Sequence, residues 1–435
     1  MNRIKDLLLN FSPLAMGRKL KPVIIFLATV ISIPLLIVAV RSQQPVTIDV
    51  LVWAVESEQM EDIVADFNEE NPEININIIE GPNETNQVED LYTSSFLLGD
   101  SPYDLVYMDM VWTPKFAAAG WLKDLSEYVS EEELDKFLEG DVKGGMYNGK
   151  LYRMPFRTDA GMLYYRSDFL EEAGYEPPET FSELMEISKA LQEEGKAPWG
   201  YTWQGKQYEG LSAMFMEVLA GFDAFWIDPE TLEVGLDSPE AIEAVQFLTN
   251  TVDEGVSPPG ITTYEEEATR RLFQNGETAF LRNWPYVYGL ASESDIAGKF
   301  DIKSMPSTPQ GRSGACQGGW GFGIAESTNH PDEAWEVIEY FTKPEIQKRY
   351  ALENGQTPTR RDLFDDPELV AEYEYLPDLL NVLENAVLRP PIAQYPQASD
   401  ILQRYLSAAI AGTMTPEQAM NKAARETRTL LQRSE

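Results

Sequence analysis

The chain has 435 residues, 43% of them hydrophobic and 11% aromatic, which suffices for two domains with buried cores and argues against wholesale disorder. Its formal net charge is −38, and this acidic excess excludes a nucleic-acid partner because little basic surface remains to neutralise phosphates. A single cysteine, Cys316, and a single histidine, His330, exclude an internal disulfide and a cysteine-based zinc site, so we expect no cofactor and no metal.

The first 45 residues differ from the rest of the chain in charge and hydropathy. They contain six basic residues and one acidic residue, and residues 22–40 form a run of nineteen without a charge, about long enough to cross a bilayer. Five of the six basic residues precede this run, which by the positive-inside rule places the acidic body outside the cytoplasm. The run is either a signal peptide cleaved near Val40 and Ser42 or an uncleaved anchor on the outer face of the inner membrane. Since no cysteine follows it closely, we do not expect a lipoprotein.

The next segment alternates strands and helices. Residues 46–53 and 73–79 have the apolar alternation of strands, and residues 103–108 form a third apolar run. Helical spacing of apolar residues separates them at 58–71 and at 86–98, where Gly99 is expected to end the helix. This order predicts an α/β lobe with a mainly parallel sheet.

Beyond residue 150 short strands are interspersed with helices. Residues 151–156 and 160–165 predict two short strands on either side of Asp159, and 279–281 predict another, while 318–324 are glycine-rich and apolar. Helices are predicted over 180–195, 208–221, 238–254, 264–275, 331–341, 343–353, 366–388, 397–411 and 415–432.

No long flexible linker divides the chain, which favours two lobes joined by several crossovers over separate domains in series. Residues 1–45 are the signal peptide or membrane anchor. We expect the N-terminal lobe to comprise 46–156 plus 278–328, and the mostly helical C-terminal lobe to comprise 157–277 plus 329–435. Each lobe would then combine segments that are distant in the sequence.

Acidic residues follow several predicted strands. Glu56 or Glu58 comes just after the first strand, Asp109 ends the third, and Asp159 lies between two short strands. In open α/β sheets ligands bind beyond the carboxyl ends of the strands, so these carboxylates are candidates for contacts with sugar hydroxyls. In a chain with 72 acidic residues, the alternative for any one of them is a solvated surface position.

Two tryptophans and one arginine complete the candidates. Trp284 follows a strand, and Trp320 lies among glycines that allow a ligand to approach the backbone. Indole faces cover the apolar face of a sugar ring, while core packing is the alternative role. Arg389 could donate two hydrogen bonds to a ligand or pair with a carboxylate of the chain. We expect Trp320→Ala to abolish sugar binding with little change in melting temperature.

Several sequence blocks, in this order, resemble those of the family 1 extracellular solute-binding proteins of ABC importers, within them the trehalose/maltose-binding branch. The blocks are residues 159–166 (DAGMLYYR), 203–211 (WQGKQYEGL), 282–286 (RNWPY), 318–320 (GGW) and 384–390 (ENAVLRP) with 395–397 (YPQ). The resemblance covers about residues 46–432. It implies a two-lobed periplasmic-binding-protein fold of type II with a ligand cleft between the lobes.

The same resemblance implies which residues contact the ligand. They are Asp109, Asp159, Trp284, Gly319, Trp320 and Arg389, with an acidic residue at Glu56 or Glu58. Two departures affect one wall of the expected site. Arg157 stands where relatives have an aromatic residue two positions before the aspartate, and residues 83–87 (NETNQ) replace a segment that offers an arginine in relatives. Trehalose, maltose, sucrose and a glucosylated polyol such as glucosylglycerol therefore all remain candidate ligands.

The expected function is that of a non-enzymatic sugar-binding component of an ABC importer. It would be a monomer that closes on a small neutral sugar about crossovers near 156–160, 278–284 and 325–332, and then delivers the sugar to the permease subunits. Two other functions remain open from the sequence. One is a membrane-anchored glycosidase that uses two carboxylates. The other is a sugar-binding protein that serves a sensor.

Overall fold

The structure is a computed structural model that describes residues 45–99 and 101–432. Within these ranges every helix is too short or too polar to traverse a bilayer. The apolar run at residues 22–40 lies outside the described residues, so its predicted role as a signal peptide or anchor stays a prediction.

The helices and strands alternate along the chain. The strands are β1 (Val46–Trp53), β2 (Ile74–Gly81), β3 (Leu105–Asp109), β4 (Met146–Tyr147), β5 (Lys150–Leu151), β6 (Met154–Ala160), β7 (Met162–Tyr165), β8 (Trp199–Thr202), β9 (Thr278–Asn283), β10 (Asp301–Lys303), β11 (Gln317–Ile324) and β12 (Thr357–Pro358). The helices are α1 (Ala54–Glu70), α2 (Thr85–Leu98), α3 (Thr113–Ala118), α4 (Glu131–Leu134), α5 (Glu139–Gly144), α6 (Ser167–Ala173), α7 (Phe181–Glu193), α8 (Glu209–Gly221), α9 (Pro239–Asp253), α10 (Glu266–Gln274), α11 (Val287–Ser292), α12 (Pro331–Phe341), α13 (Pro344–Asn354), α14 (Pro367–Glu372), α15 (Leu376–Glu384), α16 (Tyr395–Ile410) and α17 (Pro416–Gln432).

The first lobe is built on a six-stranded sheet in the order β12-β6-β11-β3-β1-β2. β2, β1 and β3 are parallel, as the strand–helix–strand pattern predicts. β11 is antiparallel to both β3 and β6, and β12 is antiparallel to β6. The expectation of a mainly parallel sheet therefore holds only for the first three strands, because the remaining ones arrive from distant parts of the chain.

The second lobe has a smaller sheet and a helical layer. Its four strands follow the order β10-β7-β9-β8, with β8 and β9 parallel and the other pairs antiparallel. Helices α8, α9, α16 and α17 pack against one another beside it. Together the two sheets and their helices form the two-lobed α/β fold that was predicted.

The strand pairing corrects the predicted lobe boundaries. Strand β9, assigned to the N-terminal lobe in the segment 278–328, pairs with β7 and β8 in the second sheet. Helices α12 and α13 and strand β12, assigned to the C-terminal lobe in the segment 329–435, pack on the first lobe, where α12 contacts β1 and β11. The reason is that the buried face of α12, which includes Val337, Ile338 and Phe341, covers the six-stranded sheet.

The chain therefore passes between the lobes at other places than expected. It crosses at Gly161, between β6 and β7, close to the predicted crossover at 156–160. The second and third crossings lie at residues 304–316 and 385–394, and not at 278–284 and 325–332. Asp159 is likewise the penultimate residue of β6, whereas a position between two strands was predicted.

Local signals account for several helix ends. Thr180 and Glu183 form a reciprocal capping box at α7, and Ser238 caps α9 just before Pro239. Helix α2 ends at Gly99, whose φ of 75° suits glycine, as predicted. The single helix predicted over 366–388 is two helices, α14 and α15. The break at residues 373–375 precedes Pro377, which has no backbone N–H to donate and is tolerated only in the first turn of a helix.

Candidate functional site

Three adjacent strands of the first lobe bring most of the candidate residues together. In the sheet register Trp320 of β11 lies opposite Asp109 on β3 and opposite Arg157 on β6, while Gly318 lies opposite Asp159. These positions are far apart in sequence and adjacent only because β11 inserts between β3 and β6. The carboxyl end of β3 thus faces the second lobe. The carboxylates of Asp109 and Asp159 and the indole ring of Trp320 lie close to it.

Glu56 and Asp159 are held by one arginine. Arg157 donates from Nε to Glu56 Oε1 at 2.5 Å and from a terminal nitrogen to Oε2, and it donates to Asp159 through its other terminal nitrogen. Glu56 Oε1 also accepts from the hydroxyls of Tyr107 at 2.6 Å and Tyr350 at 3.1 Å. Glu56 is completely buried, so these donors replace the water that its charge would otherwise need.

An aromatic cluster adjoins this network. The rings of Trp53 and Trp320 stack with their centroids 5.6 Å apart, and Trp112 meets Trp320 edge-on at 5.2 Å. The guanidinium carbon of Arg157 lies 5.8 Å from the centroid of Trp53 and 5.6 Å from that of Trp320. Trp320 is only 5% exposed, which contradicts the expectation that it could be truncated with little change in melting temperature, because a buried indole contributes strongly to stability.

Arg389 connects the two lobes. One terminal nitrogen donates to Asp109 Oδ1 of the first lobe at 2.9 Å, and the other donates to Glu209 Oε1 at the start of α8 in the second lobe at 2.8 Å. Glu209 also accepts from the hydroxyl groups of Tyr395 and Ser399 on α16. Burial raises the pKa of Glu209, while the nearby Arg389 opposes that rise.

Trp284 enters the site from the second lobe. It follows β9, its indole Nε1 donates to Glu266 Oε1 at 3.3 Å, and the guanidinium carbon of Arg282 lies 4.0 Å from its ring centroid. A Cβ atom on Gly318 would lie 3.6 Å from the Trp284 ring and 3.3 Å from Cβ of Asp159. Trp284 and Asp159 therefore flank the same glycine of β11, one from each lobe.

The glycine at position 319 has a steric role. A Cβ atom there would lie 2.7 Å from Oδ1 of Asp141 and 3.1 Å from the carbonyl oxygen of Arg157. Only glycine allows β11 to approach α5 and β6 this closely. Asp141 lies completely buried behind the strand, with Oδ2 accepting from Gln317 at 3.0 Å.

Two carboxyl groups of this region have strongly shifted proton affinities. Burial raises the pKa of Asp159 to about 6, with Glu56 and Asp109 adding to the rise and Arg157 opposing it. Burial also raises the pKa of Asp141 to about 7, against the opposing charge of Arg153. Perturbed carboxyl groups in a cleft are typical of functional sites.

Glu58, the alternative to Glu56, lies elsewhere. It is exposed and lines an open groove of about 710 Å³ together with Glu61 and Glu80. Asn83, part of the segment that departs from the family pattern, lines the same groove and accepts from the backbone nitrogen of Val55 at 3.1 Å. Glu56, not Glu58, is thus the acidic residue near Asp159.

Sequence reasoning missed Glu209, Trp53 and Tyr395 as members of this site. Glu209 and Tyr395 lay within quoted family blocks but neither follows a predicted strand, and Trp53 was interpreted as part of a buried strand. The backbone nitrogen of Glu209 also donates to Asn86 Oδ1 across the lobes at 3.4 Å.

Comparisons with known proteins agree with this fold. A family model for bacterial extracellular solute-binding proteins matches residues 53–348. A probable ABC transporter-binding protein of Deinococcus radiodurans is 32% identical over 354 residues, covering 79% of this chain and 83% of the relative. A maltotriose-binding protein of Pyrococcus abyssi is 28% identical over 279 residues, covering 62% of this chain and 57% of the relative.

A solved structure shows the same architecture. T. maritima MalE3 with bound maltose is 38% identical to this chain and superposes with a TM-score of 0.84. The superposition covers 88% of this chain and 100% of the MalE3 chain.

Proposed function

This chain belongs to the bacterial extracellular solute-binding proteins, the substrate-binding components of ABC sugar importers, and we propose that its ligand is a disaccharide or a glucosylated polyol bound by hinge closure. Trehalose, maltose, sucrose and glucosylglycerol are the candidates. The bound maltose in T. maritima MalE3 and the maltotriose named for the P. abyssi relative support a glucose-containing ligand.

The observation that carries the proposal is the meeting of carboxylates and indoles from both lobes around β11. Asp109, Asp159 and Trp320 come from the first lobe and Trp284 comes from the second, with Arg389 between them. Carboxylates accept hydrogen bonds from sugar hydroxyls, and an indole covers the apolar face of a pyranose ring. Neither chemistry requires a metal or a cofactor.

Affinity would come from a small number of such contacts. Hydrogen bonds to charged groups contribute about 1.5–3 kcal/mol each. Micromolar binding needs about −8 kcal/mol, so a few of these bonds and one stacked indole suffice. Because residues of both lobes contribute, the ligand makes more contacts when the lobes are together, and its binding shifts the population toward the closed form.

The same proposal includes the place of the protein in the cell. It works outside the cytoplasm, as the family does, and hands its sugar as a monomer to the permease subunits. Residues 22–40 either direct export and are removed or hold the protein at the outer face of the inner membrane, and lipid modification plays no part.

Calorimetric titration of the purified chain tests the ligand class. We expect at least one of the four sugars to bind with micromolar or better affinity and to be recovered unchanged, which also separates binding from glycoside hydrolysis. Asp159→Asn should raise the dissociation constant about tenfold or more, because one charged acceptor is lost. The matched control is Asp237→Asn at the surface, where Arg428 is the partner, and it should bind as the unmodified chain does.

The proposal fails if none of the four sugars binds, or if Asp159→Asn leaves the dissociation constant of the bound sugar unchanged. Release of glucose during the incubation would instead favour a hydrolase.

A further inference from the structure

The most unusual feature of the site is an arginine where a ligand would be expected to lie. The guanidinium of Arg157 is paired with both Glu56 and Asp159 and lies beside the rings of Trp53 and Trp320. Carboxylates and indole faces are the groups with which a binding protein contacts a sugar ring. In this chain they are already used by a side chain of the protein itself.

A ligand cannot readily displace this guanidinium. Glu56 has no exposed surface, and its remaining partners are the hydroxyls of Tyr107 and Tyr350 and the indole of Trp53. Removing the arginine would leave a buried carboxylate charge uncompensated, which is costly. A neutral sugar hydroxyl can donate one hydrogen bond but supplies no positive charge, so Arg157 stays in place when the ligand binds.

The rest of the site offers hydrogen-bonding and stacking partners for a sugar ring. Trp284 is half-buried and flanks Gly318 opposite Asp159, whose second carboxylate oxygen is not the one that accepts from Arg157. Asp109 lies next to this position through the pairing of β3 with β11. The aromatic surface of Trp53 and Trp320 is the surface beside which Arg157 lies.

We infer that Arg157 determines the size of the ligand: it admits a single pyranose ring with a short acyclic polyol substituent and excludes a second sugar ring. The inference rests on the proposed function and selects among its candidates. It favours a glucosylated polyol over trehalose, maltose and sucrose, because the position of a second ring beside Trp53 and Trp320 is occupied by the guanidinium. Arg157 acts here as a specificity-determining residue through the space that it fills.

The test compares dissociation constants of the full-length chain for one-ring and two-ring ligands by calorimetry. Glucosylglycerol represents the first class, and trehalose and maltose the second. We expect glucosylglycerol to bind the unmodified chain about tenfold or more tightly than either disaccharide, because the guanidinium of Arg157 occupies the position that the second ring of a disaccharide would need.

The double variant E56Q/R157M removes the guanidinium together with the completely buried carboxylate of Glu56, so that Asp159 is the one carboxylate that loses this partner. It should lower the ratio of the two-ring to the one-ring dissociation constant by about tenfold or more. The control Arg360→Met removes another buried guanidinium, which pairs with Glu133 and lies 4.6 Å from the ring centroid of Phe137, and it should leave the ratio unchanged.

Two results overturn the inference while leaving the proposed function intact. One is binding of trehalose or maltose to the unmodified chain as tightly as glucosylglycerol, which decides the matter even if the double variant does not fold. The other is an unchanged ratio in a double variant that melts cooperatively. Absence of binding for all the sugars would overturn the proposed function and the inference together.

Discussion

At the scale of single residues, the site combines buried carboxyl groups that have very different surroundings. Glu56 is surrounded by donors, among them the guanidinium of Arg157. Asp141 is as deeply buried, but its Oδ1 has no hydrogen-bond partner among the described residues, and Arg153 meets its side chain through charge alone. Burial without sufficient donors favours the protonated form of a carboxyl group, which is why Asp141 takes up a proton near neutral pH.

This difference predicts how stability depends on pH. The pKa of Asp141 is raised from 3.8 to about 7, so between these values the folded state holds a proton that the unfolded state has lost. The free energy of unfolding should therefore fall as pH rises toward and through about 7, with the contribution of this group present at low pH. Asp141→Asn cannot ionise, and we expect urea unfolding of this variant to lose stability less steeply over that range than the unmodified chain.

The control for this prediction is Asp237→Asn. The hydrogen bond from Arg428 lowers the pKa of Asp237, so its carboxyl group is ionised in both states above pH 5 or so and contributes no slope there. Asp237→Asn should keep the slope of the unmodified chain. Equal slopes for Asp141→Asn and the unmodified chain would contradict the assignment of the proton to Asp141.

At the scale of secondary structure, strand β11 organises the site. It lies between β3 and β6, and its glycines let these two strands approach closely. Trp320 of the same strand supplies the indole ring. Because the strand is buried along its whole length, any added atom must displace a packed neighbour. The close approach is tightest at Gly319, where a side chain would meet Asp141.

Gly319→Ala should therefore be destabilising. The added methyl group would lie 2.7 Å from Asp141 Oδ1 and 3.1 Å from the carbonyl oxygen of Arg157. We expect a loss of about 1–3 kcal/mol in the free energy of unfolding, the usual cost of overpacking, with weaker sugar binding. The control Gly289→Ala lies in α11, where the nearest atom to an added Cβ is 3.9 Å away, and it should not lower stability. Equal melting temperatures for both variants and the unmodified chain would refute the steric role.

At the scale of the whole molecule, polar contacts join the two lobes at the site. Arg389 pairs with Asp109 of one lobe and Glu209 of the other, and Asn86 accepts from the backbone of Glu209. Arg389 belongs to the third crossing between the lobes, at residues 385–394. The arginine that joins the lobes is thus also one of the predicted ligand contacts.

Loss of this arginine should shift the population toward open lobes. We expect Arg389→Met to have a larger radius of gyration than the unmodified chain in X-ray scattering without ligand, because two interlobe ion pairs are lost. The control Arg428→Met removes an ion pair with Asp237 inside the second lobe and should leave the scattering profile unchanged. Identical profiles for all three proteins would show that Arg389 does not stabilise closure.

Much of the fold could be predicted from local patterns. The bounds of β1 and α12 coincide with the predicted ranges, and the helices from α7 to α10 differ by one or two residues, because apolar period, caps and prolines act within a few residues. The two-lobed α/β class and the family were also predicted and are confirmed by the comparisons. The residue types of the site, carboxylates and indoles at strand ends, were predicted as well.

The remaining features of the fold and of the site could not be predicted from local patterns, because they depend on which distant segments of the chain meet. Glu56 and Glu58 are equivalent in sequence, but two positions along a helix turn a side chain by more than half a revolution, so one faces the buried network and the other faces solvent. The lobe to which β9, α12 and β12 belong, the pairing of Arg157 and the role of Glu209 likewise follow from long-range packing. Periodicity carries information over one turn or one strand, whereas the choice among possible partners is settled only by burial of the whole chain.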